Sequence, residues 1–361
     1  MFLRLCQGVN DMRADLSRTI DAARLSSLLG VPVTQVEVLD DSSGSANRLR
    51  LRLTYGDPAP GLPERLFLKR NLARFSFPSE MYSTEVRIYR DVLPKLPIEQ
   101  PACYAIEARE GDVEFIIVME DVATRPGARI GHVLEPATPD EVDSLLATLA
   151  GLHAAWWDDQ RLSSELPWLQ PPTHHAAMRF WLQAGPRLVR RHVTSGHRAA
   201  LVNKQQWREA RLWPAFERLV AADEDGPHTL LHGDVHASNV YYVTGGPGGL
   251  LDWQLSLRGC WALDVAYLLI TALTEQDRRS CERSLLQAYL ERLRAAGVDA
   301  PPAGEAWRRY RQNALYGVLM WLITPDGVHT DEAQACFLRR CLAAAEDLDT
   351  LGALSFSSLF I

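Results

Sequence analysis

The sequence lacks the features of several large classes of protein. Its 361 residues include six cysteines, scattered singly, with no C-x-x-C pair and no Cys/His cluster at zinc spacing. The sequence contains no run of about 18 apolar residues that would predict a membrane span. The start of the chain is too polar for a signal peptide. These absences predict reduced thiols and a cytoplasmic protein that does not enter a membrane.

The sequence also lacks an excess of positive charge. The 38 lysines and arginines are outnumbered by 45 aspartates and glutamates, which gives a formal charge of -7. A protein that neutralises a phosphate backbone needs the opposite balance, so we expect no nucleic acid partner. The hydrophobic share of 47% and charged share of 23% are those of a globular protein with a large core. The length predicts two domains, or one domain with a large insertion.

The first third of the chain reads as a small α+β unit. Apolar residues at helical spacing over residues 14–30 end on Gly30, which predicts a short leading helix. Alternating or β-branched runs between Gly, Pro and Asp clusters predict strands, and a helical pattern lies among them. The predicted order is β-β-β-α-β-β over Gln35–Asp40, Asn47–Tyr55, Arg65–Lys69, Pro78–Leu93, Cys103–Glu107 and Val113–Met119.

The remainder is predicted to be mostly helical after a linker at Thr124–Gly131. The predicted helices are Pro139–Trp157, His175–Leu182, Gln205–Ala222, Arg278–Ala296, Glu305–Ile323 and Asp331–Leu351. Short apolar runs within Thr229–Leu255 are split by polar residues and a glycine-rich turn, which predicts a hairpin among the helices. We expect a domain boundary between residues 121 and 122.

The densest chemical signal is a polar loop between two apolar runs, residues 232–239, which reads His-Gly-Asp-Val-His-Ala-Ser-Asn. Asp234 is followed five residues later by Asn239, and Asp252 follows the next predicted strand. Phosphoryl transfer from Mg-ATP needs such a set: one Asp accepts the hydroxyl proton, while an Asn and a second Asp bind Mg²⁺. The alternative is that Asp234 and Asn239 only close turns of a hairpin.

This segment resembles the catalytic loop H-x-D-x-x-x-x-N of the aminoglycoside phosphotransferase and choline kinase superfamily, small-molecule relatives of protein kinases. The resemblance implies that Asp234 is the catalytic base, that His232 supports the loop, and that Asn239 and Asp252 bind Mg²⁺. It further implies a two-lobed protein-kinase-like fold with a small antiparallel-sheet N-lobe, residues 1–121, and a larger, mostly helical C-lobe, residues 122–361. The segments Gly61-Leu62-Pro63 and Asp252-Trp253-Gln254 resemble the bacterial branch near ecdysteroid-kinase-like phosphotransferases.

The resemblance also predicts nucleotide-binding residues earlier in the chain. Lys69 ends the third strand and is expected to bind the α- and β-phosphates of ATP. Glu85, on the following helix, is expected to hold Lys69 as an ion pair. Taken singly, a lysine at a strand end and a glutamate on a helix are more often solvated charges.

Two further segments complete the implied nucleotide site. The loop at residues 41–47, with Gly44 and Ser45, is expected to cover the phosphates with backbone N–H groups, although it has one glycine instead of G-x-G-x-x-G. A plain hairpin turn explains that loop nearly as well. The backbone of Met119, Glu120 and Asp121 is expected to hydrogen-bond adenine as the family's hinge.

Two other family segments are interpreted as structural. His153, in an A-x-L-H helix, is expected to be a buried structural histidine rather than a catalyst. Asp264, in a G-x-x-x-x-D-V-A segment, is expected either to cap its helix or to anchor the catalytic loop.

The acceptor is expected to be a hydroxyl group of a small molecule, because 12 positions separate Asp252 from Asp264 and leave little room for a peptide platform. Six tryptophans within residues 155–225 either line a pocket or belong to the core. Asp158 and Asp159 favour a cationic acceptor. A basic cluster, Arg187, Arg190, Arg191 and His192, favours an anionic or neutral one. The patterns leave open an antibiotic such as an aminoglycoside or a metabolite alcohol, and a monomer or a homodimer.

Two alternative functions fit parts of the sequence. One is a catalytically silent kinase-like protein that binds nucleotide, which predicts decay of Lys69, Asp234, Asn239 or Asp252; all four are intact. The other is a metal-dependent hydrolase that uses His232, Asp234 and His236, which leaves the lysine, the helical glutamate and the two-lobe order unexplained.

Overall fold

The structure is a computed structural model that describes residues 20–43, 46–59, 61–71, 79–108 and 114–355. The chain divides into two compact units. Unit 1 comprises Met1–Arg90 and Pro101–Arg125, and unit 2 comprises Asp91–Gln100 and Pro126–Ile361. The domain boundary expected after Asp121 stays a prediction.

Unit 1 is built on one antiparallel sheet with the strand order β1-β2-β3-β5-β4. Its strands are β1 (Val33–Ser43), β2 (Asn47–Tyr55), β3 (Arg65–Asn71), β4 (Cys103–Ala108) and β5 (Phe115–Glu120). Leucines alternate along β2 and β3, so one face of the sheet is apolar and buried. The core on that face includes Leu49, Leu51, Leu53, Leu66 and Leu68.

In the described part of unit 1 two helices accompany the sheet, and the predicted order β-β-β-α-β-β after the leading helix is confirmed. Helix α1 (Ala22–Leu29) begins where the Asp21 side chain accepts the Arg24 N–H, and it ends at Gly30, whose φ of 70° suits glycine. Helix α2 (Ser79–Arg87) passes into a π-helical turn at Ile88–Val92.

Unit 2 is mostly helical. Its helices are α3 (Pro139–Ala155), α4 (Arg161–Ser164), α5 (Ala176–Thr194), α6 (Glu209–Glu224), α7 (Ala262–Ala272), α8 (Glu275–Ala295), α9 (Ala303–Ile323), α10 (Asp331–Asp347) and α11 (Thr350–Ser355). Every residue of α7 is buried, and α9 is buried along most of its length. These two apolar helices form the centre of the unit.

The helix predicted to end at Leu182 is wrong in length, because α5 continues through Pro186 to Thr194. Proline inside a helix removes one backbone hydrogen bond, but packing can compensate for that loss. Gly185 lies against Trp213, where a Cβ would approach the indole to 2.5 Å. Close contact with α6 therefore holds this turn in a helical conformation.

The hairpin predicted within Thr229–Leu255 is confirmed, because Val240–Val243 pairs antiparallel with Gly249–Leu250 across the glycine-rich turn, but the run before it pairs with a strand outside that segment. β7 (His228–Leu231) pairs with β10 (Leu257–Cys260). β8 (Val240–Val243) pairs with β9 (Gly249–Leu250) and with β6 (Ala128–Ile130), a strand inside the segment predicted as a linker. The loop between β7 and β8 thus joins two small sheets, and a local pattern cannot reveal partners more than a hundred residues away.

Among the described residues, none of the helices combines the length and apolarity that crossing a membrane requires.

Candidate active site

The loop at residues 232–239 lies between β7 and β8, and backbone turns fix its shape. The His236 N–H donates to the Asp234 carbonyl at 2.9 Å, and the Asn239 N–H donates to the His236 carbonyl at 2.8 Å. These turns bring Asp234 and Asn239 to the same side of the loop, as their side-chain contact below shows.

Asp264 anchors the start of this loop from the first turn of α7. Its carboxylate is fully buried and accepts the N–H of His232 at 2.7 Å and of Gly233 at 2.9 Å. The Tyr316 hydroxyl donates to the Gly233 carbonyl at 2.9 Å. Gly233 has a φ of 80°, and a Cβ there would lie 2.2 Å from the Leu255 carbonyl oxygen, so glycine is required.

Of the two roles expected for Asp264, the structure shows the anchor and not the cap. The residue at the N-cap of α7 is Trp261, which makes no capping bond with its side chain. Behind Asp264, the buried His153 has Nε2 3.3 Å from the carboxylate and Nδ1 2.7 Å from the Tyr289 hydroxyl. The expectation that His153 is a buried structural residue is confirmed.

His232 uses both ring nitrogens on the backbone. Its Nε2 donates to the Leu251 carbonyl at 2.9 Å, and its Nδ1 accepts the Asp234 N–H at 3.2 Å. The two partners assign the neutral imidazole with its proton on Nε2. The ring is buried near Trp253, with ring centroids 4.6 Å apart. Such contacts belong to a residue that supports the loop.

Asp234 and Asn239 contact each other directly. The Asn239 Nδ2 donates to the Asp234 Oδ2 at 3.0 Å and to the Asp234 carbonyl at 3.1 Å. Because the amide nitrogen is engaged in this way, the amide oxygen of Asn239 is the atom able to face a cation. The Asp234 side chain is only partly buried, with 16% of its surface exposed.

Asp252 is held next to this loop by the chain itself. The Leu251 N–H donates to the Asn239 carbonyl at 2.8 Å. Asp252 has a φ of 66°, an uncommon conformation for a residue other than glycine that is concentrated at functional sites. Asn239 and Asp252 supply oxygen atoms, the donors that Mg²⁺ prefers, so the residues present fit that ion.

In unit 1, Lys69 and Glu85 form the expected ion pair. The Lys69 Nζ lies 2.7 Å from Oε2 and 2.8 Å from Oε1 of Glu85. Both side chains are buried, with residue exposures of 3% and 1%. The carboxylate on the helix thus pairs with the buried lysine at the third strand. Its expected role in phosphate binding stays a prediction.

The hinge expected at residues 119–121 is the end of β5. The Glu120 N–H donates to the Ala102 carbonyl at 2.8 Å, and the Asp121 carbonyl accepts the Thr124 N–H at 2.8 Å. The Glu120 N–H is therefore engaged, whereas the Asp121 carbonyl keeps a second lone pair, so an adenine contact has to use backbone groups of Met119, Glu120 and Asp121 other than that N–H. The Glu120 carboxylate forms two hydrogen bonds with Arg125, and those bonds lower its pKa. Gly44 and Ser45 lie outside the described residues.

The residues invoked for a hydrolase do not point at a common centre. Both ring nitrogens of His232 are engaged by the backbone, and His236 Nδ1 accepts the Ser238 N–H at 3.2 Å. Within the described ranges, no group of three His, Cys, Asp or Glu residues is arranged to hold a metal ion. The contacts favour a hydrogen-bonded loop over a histidine metal site.

The charged clusters expected near an acceptor are mostly engaged elsewhere. Asp159 pairs with Arg161, Arg190 with Glu209 and Arg191 with Asp326. Among the tryptophans, Trp156 and Trp207 are buried, while Trp157, Trp168, Trp181 and Trp213 are partly exposed. These pairings within the protein favour neither a cationic nor an anionic acceptor.

One part of the site was missed by sequence reasoning, the aromatic surroundings of His236. Its ring is buried against Tyr267, Trp321, His329 and Phe337, with centroid distances of 5.9, 5.5, 6.0 and 5.2 Å. These rings come from α7, α9, α10 and the loop before α10. The signal available was the second histidine of the loop, whose partners are distant in sequence.

The chain matches one protein-family model and several solved structures of similar fold. The model of the phosphotransferase enzyme family matches residues 37–311, well over half of the chain. No curated protein matches the chain in sequence. Among solved structures, the choline kinase from Streptococcus pneumoniae has a TM-score of 0.51 at 14% identity, covering 90% of this chain and 97% of that one.

A spectinomycin phosphotransferase bound to ADP and spectinomycin has a TM-score of 0.54 at 12% identity, with 91% and 97% of the two chains covered. An ethanolamine kinase from Plasmodium vivax has a TM-score of 0.51 at 14% identity, with 87% and 81% covered. The expected fold class, α+β with an antiparallel-sheet N-terminal part and a mostly helical C-terminal part, is confirmed. The chain belongs to the phosphotransferase enzyme family.

Proposed function

We propose that this protein is a kinase that transfers the γ-phosphoryl group of ATP to a hydroxyl group of a small molecule and depends on Mg²⁺. The observation that carries the proposal is the contact between Asn239 and the Asp234 carboxylate, in a loop whose start is anchored by Asp264. The solved kinases and phosphotransferases of similar fold support it, and one of them holds ADP.

Asp234 is the catalytic base in this proposal. Its carboxylate orients the acceptor hydroxyl and accepts the proton, the acceptor oxygen bonds to the γ-phosphorus, and the bond from that phosphorus to the bridging oxygen breaks to release ADP. Asn239 orients the carboxylate through its amide nitrogen. His232 is a positioning residue, because its ring joins the loop to Leu251.

Asn239 and Asp252 are the residues that would hold Mg²⁺. When bound, the ion offsets negative charge on the phosphates. The αL conformation of Asp252 and its link to Asn239 through Leu251 favour a shared task for the two side chains.

Unit 1 contributes the nucleotide residues of the proposal. Lys69 binds the α- and β-phosphates, and Glu85 holds it in place. Gly44 and Ser45 cover the phosphates with backbone N–H groups, and backbone groups of residues 119–121 bind adenine.

The acceptor class proposed is a small-molecule alcohol, either an antibiotic such as an aminoglycoside or a metabolite. The negative formal charge supports a role without nucleic acid, and we propose a cytoplasmic location. A monomer and a homodimer are equally compatible with the proposal.

The test is ADP release from Mg-ATP with a panel of hydroxyl compounds: aminoglycosides, macrolides, choline, ethanolamine, sugars and nucleosides. We expect one class to stimulate release in the wild type, and Asp234→Asn to lower turnover by about 1,000-fold or more. The matched control is Asp143→Asn, which removes a partly exposed carboxylate paired with Arg292 in the same unit.

Two results would count against the proposal. Stimulated release that persists in Asp234→Asn would contradict the role of the base. A rise in melting temperature with Mg-ATP but no stimulated release by the panel would favour a catalytically silent nucleotide-binding protein instead.

A further inference from the structure

The second histidine of the catalytic loop has a defined ring orientation. The Ser238 N–H donates to His236 Nδ1 at 3.2 Å, so Nδ1 is an acceptor. A neutral imidazole with Nδ1 as acceptor carries its proton on Nε2. The Nε2 atom lies 3.7 Å from the Asp234 Oδ2. The N–H group is thus turned toward the carboxylate of the proposed base.

Two donors converge on the same oxygen of Asp234. The Asn239 Nδ2 reaches Oδ2 at 3.0 Å, and the His236 Nε2 approaches it at 3.7 Å. The longer distance exceeds that of a hydrogen bond. Catalytic hydrogen bonds are often long in the absence of ligands and shorten when substrates bind, so a small movement would complete this one.

The ring of His236 has little freedom to turn away. It is 5% exposed and is surrounded by aromatic rings of α7, α9 and α10 and by His329. Trp321 and Phe337 in this group stack at 3.8 Å with an interplanar angle of 6°. A closely packed aromatic wall keeps the imidazole in one orientation.

We propose that His236 is a positioning residue for phosphoryl transfer, whose Nε2–H fixes the rotation of the Asp234 carboxylate together with Asn239. This inference rests on the proposed function for its catalytic meaning, while its geometry can be tested in the absence of any acceptor. His236 takes no part in proton transfer: Asp234 receives the proton of the acceptor hydroxyl, and His236 only donates a hydrogen bond.

The first experiment reads the position of the ring proton by NMR of protein labelled with ¹⁵N-histidine. Long-range ¹H–¹⁵N correlations distinguish protonated from unprotonated ring nitrogens, and the signals lost in His236→Gln assign this residue. We expect the proton on Nε2, and we expect Asp234→Asn to shift the Nε2 resonance of His236.

His153 is the matched control, because it is a buried histidine that faces a different aspartate, Asp264, at 3.3 Å. Its resonances should be unchanged in Asp234→Asn. A proton on Nδ1 of His236, or His236 resonances that do not respond to Asp234→Asn, would overturn the proposal.

The second experiment measures turnover with the acceptor that the panel identifies. His236→Phe fills the aromatic site without a donor, and we expect kcat to fall about 100-fold while KM for ATP changes less than about threefold. His236→Gln places an NH₂ donor near the position of the imidazole Nε2–H and can donate to Asp234, so it should recover most of kcat. Equal losses in both variants, following their melting temperatures, would show that the residue is only structural.

The two proposals fail in different ways. If no acceptor stimulates ADP release, the proposed function is contradicted, and the NMR result alone decides whether His236 faces Asp234. If the wild type turns over an acceptor and His236→Phe folds and retains kcat, the function stands and the positioning role is rejected.

Discussion

The two units stabilise buried charge in different ways. In unit 1, the Lys69 ammonium and the Glu85 carboxylate neutralise each other at 2.7 Å. In unit 2, the buried Asp264 carboxylate accepts two backbone N–H groups and also faces His153. The ion pair fixes one side chain, whereas the carboxylate fixes a stretch of backbone. Breaking the ion pair and breaking the carboxylate anchor should therefore affect activity and stability differently.

Of the variants that break these contacts, Asp264→Asn is expected to cause the largest loss in the free energy of unfolding. The amide supplies one acceptor oxygen and turns an NH₂ group toward a backbone N–H, so one hydrogen bond to a charged group becomes a repulsive contact. A hydrogen bond to a charged group contributes about 1.5–3 kcal/mol, and a buried N–H without an acceptor costs about 1–3 kcal/mol more, so we expect a loss of about 3–5 kcal/mol in the free energy of unfolding. Urea unfolding measures it, and turnover should fall by about 100-fold or more because the loop moves.

The control for Asp264→Asn is Asp143→Asn, whose carboxylate is paired with Arg292 at the partly exposed surface of α3. It should change stability by less than about 1 kcal/mol. Similar losses in the two variants would show that the anchor is no more important than a surface pair.

The second largest loss of stability is expected when the Lys69–Glu85 ion pair of unit 1 is broken. Glu85→Gln removes the carboxylate charge 2.7 Å from the buried Lys69 ammonium, and breaking one side of a buried ion pair costs about 3 kcal/mol. We expect weaker binding of Mg-ATP by isothermal titration calorimetry in addition to the loss of stability. The double variant Lys69→Met/Glu85→Leu should recover stability but not nucleotide binding, since apolar side chains replace both charges.

A surface pair of the same unit provides the control. Arg24 and Glu107 lie 2.6 Å apart but are 41% and 40% exposed, so Glu107→Gln should cost less than about 1 kcal/mol. Unchanged Mg-ATP affinity in Glu85→Gln would contradict the role given to this pair.

A third buried carboxylate, Asp223 in α6, is expected to make the stability of unit 2 depend on pH. Burial is the main cause that raises its pKa to about 6, although Asn313 and Arg309 act in the opposite direction. The folded pKa lies above the ordinary value of 3.8, so the unfolded chain ionises first and stability falls as pH rises from about 4 to 6.

Asp223→Asn removes that titration. We expect the variant to gain about 2 kcal/mol relative to the wild type between pH 4 and pH 7, as measured by urea unfolding across this range. The Asn313 Nδ2, 3.1 Å from the carboxylate, can still donate to the amide oxygen. A difference between the two proteins that does not vary with pH would contradict the raised pKa.

Much of the fold was predictable because its signals are local. The β2 leucines alternate along one strand, and Gly30 ends a helix with a φ of 70°. The pairing of β7 with β10 and of β6 with β8 was not predictable, since those partners are set by tertiary contacts. The continuation of α5 through Pro186 was missed for the same reason, because Trp213 holds that turn from outside the helix.

The candidate site likewise contains residues that the sequence predicted and contacts that only the structure shows. The spacing of polar residues predicted Asp234, Asn239 and Asp252 as site residues, and the family resemblance predicted Lys69 and Glu85. The choice between cap and anchor for Asp264 needed coordinates, because the His232 and Gly233 N–H groups are about 30 residues away in sequence. The aromatic surroundings of His236 come from helices whose apolar residues look like ordinary core.

The smallest loss of stability is expected from Tyr316→Phe. This variant removes the hydroxyl that supports the loop and leaves the Asp264 carboxylate in place. The Tyr316 hydroxyl is buried and donates to the Gly233 carbonyl at 2.9 Å. Its removal leaves the ring packing intact and deletes one neutral hydrogen bond, so we expect a loss of about 1 kcal/mol in the free energy of unfolding. Turnover should fall less than about tenfold, because Asp264 still holds the two N–H groups of the same turn. A loss in Tyr316→Phe as large as that in Asp264→Asn would mean that the loop depends on its carbonyl contact as much as on its carboxylate anchor.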